Sequence, residues 1–592
     1  MLRSNFVIML INYIEDIMRK ISVSKLIVIP LIYLGLSSGV VFAKPSYIDV
    51  KPLSQVVKTR VANVKSGVAV LPIITWGGDI ATIYGNGNKR STTNNSIFAN
   101  NNLKVKLQRE DVFTKQLERY IAGETPYLRG TLGMINAAAD LLNKDARTKP
   151  VVIYQHTWSA GGDALVVKSG IQTAKDLKGK TIALQAYGPH IDYLAKILND
   201  SGIKLSEVKI KWLADLTGTD NSPMNALYES DIDAAFVIIP DALALTSGGN
   251  VGTGSEDSIK GAKILLSTKT ANRIIADVYA VRSDYLKANN KSVQSLVRSL
   301  MLADEAVTKI VKNKASNSTE YQRLMRASAD ILLDSPQAIS DAEGLYADAE
   351  YVHYNGNIKF FQDAKNPRSF AKLNREIQSS LASIGLTNGN AQLTNVNWDY
   401  PSLKKGLTNT AVAEAPRFNE KAVAQVISKK QQQGSLKDGE LFSFEVFFSP
   451  NQQTFSADLY QDAFERVISL AATYGGAIIT VEGHSDPMGF LRKLKSNEPA
   501  VVLGRVKQAA RNLSVNRSNQ VRDSIIQYAD NKGVSLDKSQ FATVGHGIAQ
   551  PKTGICSNNP CAPKNEKEWR SNMRVEFRII QIEAEADVFK PL

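Results

Sequence analysis

Between residues 66 and 312 short apolar runs alternate with amphipathic stretches. "GVAVLPIITW" predicts a buried strand that ends at the glycines of "WGGD". "LKVKLQRED" alternates like a second strand, and "VFTKQLERYIAGE" carries helical spacing closed by Gly123. "PVVIYQHTW" and "DALVVKSG" predict strands, and "TAKDLKGKTIALQAYGPHIDYLAKILNDSGI" predicts helix, turn, strand, loop and helix. "VKIKWLA" adds a strand, and "SPMNALYESDIDAAFVIIPDALAL" a helix, a strand and a loop. Strands separated by helices predict an α/β fold with a largely parallel sheet. In such sheets ligands bind beyond the C-terminal strand ends. After Gly261, "IIADVYAVRSDYLKANN" predicts a strand and a turn, with helix-rich sequence to about Ala382. That order is what a chain produces when it crosses to a second lobe and returns.

The pattern loosens over 401–439 ("SLKKGLTNTAVAEAPRF", then "SKKQQQGSLKDGE"), which predicts a partly helical connector. From Glu440 a second pattern begins. "LFSFEVFFSP", "DLYQDAFERVISLAATYG", "AIITVEGHSD", a long helix around "LSVNRSNQVRDSIIQYADNKG", "SQFATVGHG" and "NMRVEFRIIQIEAE" predict a smaller α+β domain over 440–592. There is no internal repeat.

Residues 1–43 change the compartment. From Met18, the expected start, a basic stretch (Arg19, Lys20, Lys25) precedes an apolar run from Leu26 to Val41 and a small-residue site ending at Ala43. This is the layout of a secretory signal, so the mature chain is expected to begin at Lys44. Mass analysis of exported protein checks this, and a chain retaining Met18 would make the segment an anchor. No cysteine follows Ala43, so no lipid anchor is expected there. The first domain is then expected over 44–400.

The chain has 592 residues, 43% of them hydrophobic and 22% charged, as in ordinary globular protein. Its net charge of +14 lies mostly upstream of the nearly neutral C-terminal domain. A basic protein meets nucleic acid, anionic lipid or an anionic wall polymer. No Arg-rich arm, zinc-finger spacing or RNP-like aromatic pattern is present, so nucleic acid is not an expected partner. The only cysteines, Cys556 and Cys561, flank an Asn-Asn-Pro turn in "GICSNNPCAPK". In an exported protein that spacing predicts a local disulfide. Two thiols do not complete a zinc site, and no metal or other cofactor is expected.

"VEGHSD" (Val481–Asp486) places His, Ser and Asp side by side, the residue types of a hydrolase triad. Triads, however, are assembled from distant parts of a fold. "VEGHSD", "LSVNRSNQV" (Leu513–Val521), "GHGIAQP" (Gly545–Pro551) and "NMRVEFRI" (Asn572–Ile579) occur in that order. The set resembles the OmpA-like peptidoglycan-binding domain over roughly 440–582. The resemblance implies that Asp486 holds the ammonium of the diaminopimelate arm of a wall peptide and Arg517 its carboxylate, with Asn572 and Arg574 lining the same groove. Charge-assisted hydrogen bonds and the planar guanidinium fork suit that ligand. Three departures stand out: the basic insertion "LRKLKSNEPAVVLGRVKQAARN", Ser518 for the family's alanine, and Met573 for its first arginine.

The N-terminal region, through "DLKGK" (Asp176–Lys180), "YESDIDAAFVIIPDA" and "ITWGGD", resembles type II periplasmic solute-binding proteins of the nitrate, sulfonate and thiamine-precursor group. The resemblance implies two α/β lobes hinged by two crossings, a trapped small-molecule solute and an inner-membrane ABC permease as partner. Loops at strand ends supply the candidate solute-binding residues: Trp76, Gly77, Asp79, Thr131, Ser159, Tyr187, Gly188, His190, Asp220 and Asp241. Gly188 and Pro189 open a helix whose free N–H groups favour an anion, whereas the three aspartates suit a cation or a polyol. The charge of the solute stays open at this point.

Together these readings give a non-enzymatic protein of the Gram-negative periplasm, associated with the wall or outer membrane. It is expected to capture a solute for ABC-type import while tethered to peptidoglycan. The alternative is a structural or sensing protein whose main activity is the tether. No P-loop, HExxH or GxSxG is present.

Overall fold

The computed structural model describes residues 44–255, 258–408, 418–437, 440–448, 460–556 and 559–581. The expected signal segment, 1–43, lies outside them. Among the described residues no helix is long and apolar enough to cross a membrane.

The strands of the N-terminal region are β1 (Ala69–Ile73), β2 (Val105–Arg109), β3 (Tyr127–Thr131), β4 (Pro150–Ser159), β5 (Asp163–Val167), β6 (Thr181–Gln185), β7 (Lys209–Leu213), β8 (Ala234–Ile238), β9 (Lys263–Ser267), β10 (Ala276–Arg282), β11 (Ala349–Tyr351) and β12 (Thr394–Asn395). One sheet runs β11-β4-β10-β3, with β12 added to β4; the other runs β7-β6-β8-β5-β9; β1 and β2 form a parallel pair. The chain passes from the first sheet to the second between β4 and β5 and returns between β9 and β10. These are the two expected crossings.

The sheets are not the largely parallel ones that the alternating pattern predicts: five of their eight strand pairings are antiparallel, β11 against β4 among them. β10 is antiparallel to β3 and β4, and β5 is antiparallel to β8 and β9. Each is the strand that receives the chain from the other lobe. A strand entering from across the hinge starts at the edge where its neighbours end, so it runs against them. A βα repeat read along the sequence carries no sign of that reversal.

The C-terminal region has β13 (Glu440–Phe447), β14 (Ile478–His484), β15 (Phe541–Gly547), β16 (Ile555–Cys556), β17 (Asn559–Pro560) and β18 (Arg574–Ile580). Its sheet runs β13-β18-β14-β15, with only β14 and β15 parallel. Helices Gln461–Thr473 and Ala500–Asn531 cover one face, packing against Val481, Val575 and Phe577. The basic insertion forms most of helix Met488–Lys495 and the first turns of the 32-residue helix Ala500–Asn531.

The span expected as connector is divided between the two regions. Leu403 is buried in the N-terminal core, and the Lys405 carbonyl accepts from Arg298 Nε (2.9 Å). Helix Glu420–Gln433 instead buries Val423, Val426 and Ile427 against Ile478, Val544 and Ile580 of the C-terminal sheet. The two regions also touch directly. The Tyr474 hydroxyl donates to Asp200 Oδ2 (2.8 Å), and Gly476 N–H donates to the Thr270 carbonyl (3.1 Å). A Cβ on Gly476 would lie 2.0 Å from the Lys269 carbonyl oxygen, so this approach requires glycine.

Cys556 and Cys561 are disulfide-bonded, with their Cα atoms 5.6 Å apart. Closing so short a loop removes little unfolded-state entropy, about 2 kcal/mol. Reduction is expected to loosen residues 554–563 in hydrogen exchange and to leave the melting of the sheet nearly unchanged. Loss of the whole C-terminal transition on reduction would contradict this.

Candidate functional site

The loop after β1 is held from below by a buried polar chain. Asp79, at the start of helix Asp79–Gly85, and Arg129, in β3, are both 0% exposed and ion-paired at 3.1 Å. Arg129 also pairs with Asp277 of β10 (2.9 Å). Asp277 accepts from Thr157 Oγ1 (2.8 Å), and Thr157 Oγ1 accepts from Trp76 Nε1 (2.9 Å). The Tyr279 hydroxyl donates to Asp79 (3.1 Å). Burial pushes the Asp79 carboxyl up to about 6, against the pull of Arg129. Gly77 has no room for a side chain, since a Cβ would lie 1.8 Å from the Leu345 carbonyl oxygen.

A second network ties the two crossings together. The Ser159 hydroxyl donates to Asp163 Oδ2 (2.6 Å), and His190 Nε2 lies 2.8 Å from Asp163 Oδ1. Thr268 Oγ1, in the returning crossing, is 2.8 Å from Ser159 Oγ and accepts from the N–H groups of Gly161 and Asp163 (both 3.1 Å). The Trp76 ring comes within 2.6 Å, and Asp348 Oδ1 also within 2.6 Å, of where Cβ atoms on Gly162 and Gly161 would stand.

The remaining candidates serve varied roles. Thr131 Oγ1 accepts from Met134 N–H (3.1 Å) and caps helix Leu132–Leu142. Tyr187, at φ 57°, exchanges two hydrogen bonds with the Lys51 backbone (2.5 and 3.1 Å), so the N-terminal segment covers its hydroxyl. A Cβ on Gly188 would lie 2.2 Å from Gln185 Oε1, so that side chain would have to move aside. Asp220 is exposed. Asp241 accepts from Thr217 Oγ1 (3.0 Å), and burial pushes it up. Trp76, Gly77, Ser159 and His190 are thus brought to the hinge, whereas Asp220 is an exposed turn residue.

Sequence reasoning missed Arg129, Asp192, Asp277 and Asp348. Arg129 had a readable signal: a charged residue inside the apolar run "YLRGT" demands a buried partner. Asp192 had none, because an acid in the first turn of a helix is ordinary. It is 5% exposed on helix His190–Asp200, and neither carboxylate oxygen has a hydrogen-bond partner. Burial pushes it up to about 7.

In the C-terminal region, Asp486 Oδ2 accepts from Met488 N–H (3.0 Å), while Oδ1 is buried without a hydrogen-bond partner. Burial raises this carboxyl, opposed by Trp569, the Met488 amide and Arg492. Arg517, on helix Ala500–Asn531, is 9% exposed, its Nε has no hydrogen-bond partner, and burial lowers its pKa. Asn572 is buried, accepts from the N–H groups of Lys552 and Thr553 (2.7 and 3.1 Å) and thereby fixes that loop. Arg574 pairs with Glu445 (3.0 Å) and Glu576 (3.7 Å). Arg574 Nε, like Arg517 Nε, is buried and makes no hydrogen bond of good geometry.

The His-Ser-Asp run splits up. The His484 ring stacks on His546, with centroids 4.8 Å apart, and Ser485 Oγ donates to the Ala510 carbonyl (3.1 Å). Glu482, His484 and His546 place ligand-type atoms within 4.8 Å of one another. Glu482 is already engaged by Arg578 (3.0 Å), His546 (2.8 Å) and Thr480 (2.6 Å). Burial would raise its pKa, but His546 and Arg578 hold it down at about 2. A guanidinium thus stands where a metal ion would otherwise balance the carboxylate.

A family model described as "NMT1/THI5 like" matches residues 130–309, a stretch that contains both crossings. No curated protein matches the chain. Among solved structures, the chain is similar to the alkanesulfonate-binding protein SsuA from Xanthomonas axonopodis pv. citri bound to MOPS. That match has 15% identity, covers 56% of this chain and 100% of that one, and has a TM-score of 0.38. It is also similar to the periplasmic nitrate-binding protein NrtA from Synechocystis PCC 6803, at 10% identity, 58% and 90% coverage and a TM-score of 0.39. A third is the desulfurization enzyme DSZB, at 15% identity, 55% and 95% coverage and a TM-score of 0.34.

Proposed function

We propose that this protein captures a small solute between its two N-terminal lobes, on the outer side of the inner membrane, and delivers it to an ABC permease. The observation that carries this reading is the coincidence of the family match, residues 130–309, with the two crossings. Ser159, Asp163, His190 and Thr268 meet there in one hydrogen-bonded hinge. Movement of one lobe against the other has to pass through those residues. Native mass spectrometry of the purified mature chain is expected to find a retained small molecule. A solute at about 100 times its dissociation constant should stabilise the fold by roughly 2.7 kcal/mol. Because the C-terminal region packs on Asp200 and Thr270, it is expected to share in that stabilisation. A broad thermal-shift screen without a hit, together with a protein that retains nothing, would sink solute capture.

The second half of the proposal is that the C-terminal region, with its OmpA-like motifs, tethers the protein to diaminopimelate-type peptidoglycan. What supports it is a complementary pair of unmet needs. Asp486 Oδ1 and Arg517 Nε are both buried and both lack hydrogen-bond partners. Buried polar groups are normally satisfied, and a ligand carrying an ammonium and a carboxylate would satisfy both. Solute capture and tethering are binding activities, and the proposal includes no catalytic step.

A further inference from the structure

We infer that the basic helical hairpin of the C-terminal region, residues 488–511, docks on the surface of an anionic phospholipid bilayer. This rests on observations separate from those behind solute capture and wall tethering.

The hairpin consists of helix Met488–Lys495 and the first turns of helix Ala500–Asn531. Its base is fixed to the sheet. Ser485 Oγ donates to the Ala510 carbonyl (3.1 Å), and a Cβ on Gly547 would lie 3.0 Å from the Arg511 nitrogen. Beyond that point little is buried. The shorter helix buries only Phe490, and the first buried residue of the long helix is Ser514. A helix of 8 residues is marginal in water and owes its stability to packing an apolar face. The hairpin instead leaves Leu494 47% and Val501 68% exposed, on either side of the turn that joins its helices. Leu491, Val502, Leu503 and Val506 are half-buried beside them.

Charge is concentrated on the same piece. Arg492, Lys493, Lys495, Arg505, Lys507 and Arg511 are all exposed. The only acid among them, Glu498, is paired with Lys493 (3.0 Å). The rest of 440–592 holds twelve basic residues against sixteen acids, so the positive charge of this domain is gathered on the hairpin. Lys507 Nζ stands 4.8 Å from the centre of the Phe490 ring, and Arg492 acts on Asp486 at the base.

A positive surface attracts any polyanion. The apolar tip narrows the partner. A soluble polyanion offers Leu494 and Val501 no refuge from water. A bilayer surface takes both kinds of group: its anionic headgroups meet the cations, and the boundary with the acyl chains meets the apolar side chains.

The test uses the chain from Lys44 to Leu592 and sedimentation with two kinds of vesicle. One is phosphatidylcholine alone, and the other is phosphatidylcholine and phosphatidylglycerol in equal parts. Binding is expected to the second and to be at least tenfold weaker to the first. A basic residue near an anionic surface is worth about fivefold, so Lys493→Gln, Lys495→Gln and Arg505→Gln together should cost about a hundredfold. Leu494→Ser with Val501→Ser should cost about tenfold, and that loss should persist at raised salt, which screens the charges but not the apolar contact. All five side chains are exposed, so both variants should melt like wild type. Lys564→Gln with Lys567→Gln, exposed bases outside the hairpin, should change nothing. Equal binding to the two vesicles, binding to neither, or a triple variant that sediments like wild type would overturn the inference. So would soluble polyglutamate that displaces the protein completely while the Leu494 and Val501 variant still binds like wild type, since the hairpin would then be a general polyanion surface.

Discussion

Arg129→Met is expected to cost the fold about 3–5 kcal/mol, the usual penalty for removing one partner of a buried ion pair. Total stabilities are only about 5–15 kcal/mol, so this is a large share. Asp79 and Asp277 both depend on this guanidinium, and neither carboxyl reaches solvent to compensate. The cost should depend on pH. Burial already holds Asp79 at about 6 with Arg129 beside it, above the ordinary carboxyl value. A folded-state pKa above the unfolded one means that the native state binds more protons, so stability falls as pH rises through that window. Without Arg129 the two acids should protonate at still higher pH. The deficit of the variant relative to wild type is therefore expected to be modest at pH 5 and largest at pH 8. Urea denaturation at the two pH values measures it. A deficit below about 1 kcal/mol, or one equal at both pH values, would mean that Arg129 does not carry these charges.

The parts legible from sequence were those with a local signature. Apolar runs bounded by turn residues placed β1, β4, β5 and β8 nearly where they are, and the return after Gly261 placed the second crossing. The antiparallel sense of β5 and β10 was not legible, because direction within a sheet is set by where the chain re-enters. Residues 401–439 predict a partly helical connector, and what was not legible is that helix Glu420–Gln433 belongs to the C-terminal sheet. Its apolar face is only Val423, Val426 and Ile427 within a run of Lys and Gln, and that face acquires meaning only against Ile478, Val544 and Ile580. At the candidate sites, residue type and motif position pointed to Trp76, Ser159, His190, Asp486 and Arg517 as candidates. They could not separate residues free to meet a ligand from residues engaged elsewhere. Asp79, buried and ion-paired with Arg129, lies in the second class, and only its partner reveals it.

If the C-terminal region tethers the chain to the wall, Asp486→Asn is expected to weaken binding to diaminopimelate-type peptidoglycan by thirtyfold or more. Asn is the informative change. Asp486 Oδ2 accepts the Met488 amide and so shapes the turn after β14; an amide oxygen can keep that bond while the charge is lost. The expected loss is the cost of unpairing one member of a desolvated, hydrogen-bonded charge pair, about 2–5 kcal/mol, and its low end is already about thirtyfold. Arg517→Ala should match it from the carboxylate end of the ligand. Arg517→Lys should recover only part, since a point charge replaces a planar fork. The insertion complicates any sedimentation assay. Arg492, Lys493, Lys495, Arg505, Lys507 and Arg511 lie along helices Met488–Lys495 and Ala500–Asn531 and would hold anionic wall polymers without reading the peptide. That attraction is screened by salt, over about 8 Å at physiological ionic strength, whereas contacts to Asp486 Oδ1 and Arg517 Nε are buried and far less sensitive. Binding should therefore be compared at moderate and raised salt, with amidated stem peptides as the control ligand. Variants at both positions that still sediment like wild type at raised salt would show that Asp486 and Arg517 do not hold the stem peptide. Variants that lose binding only at raised salt would place the specific contact at this pair and the non-specific remainder on the insertion.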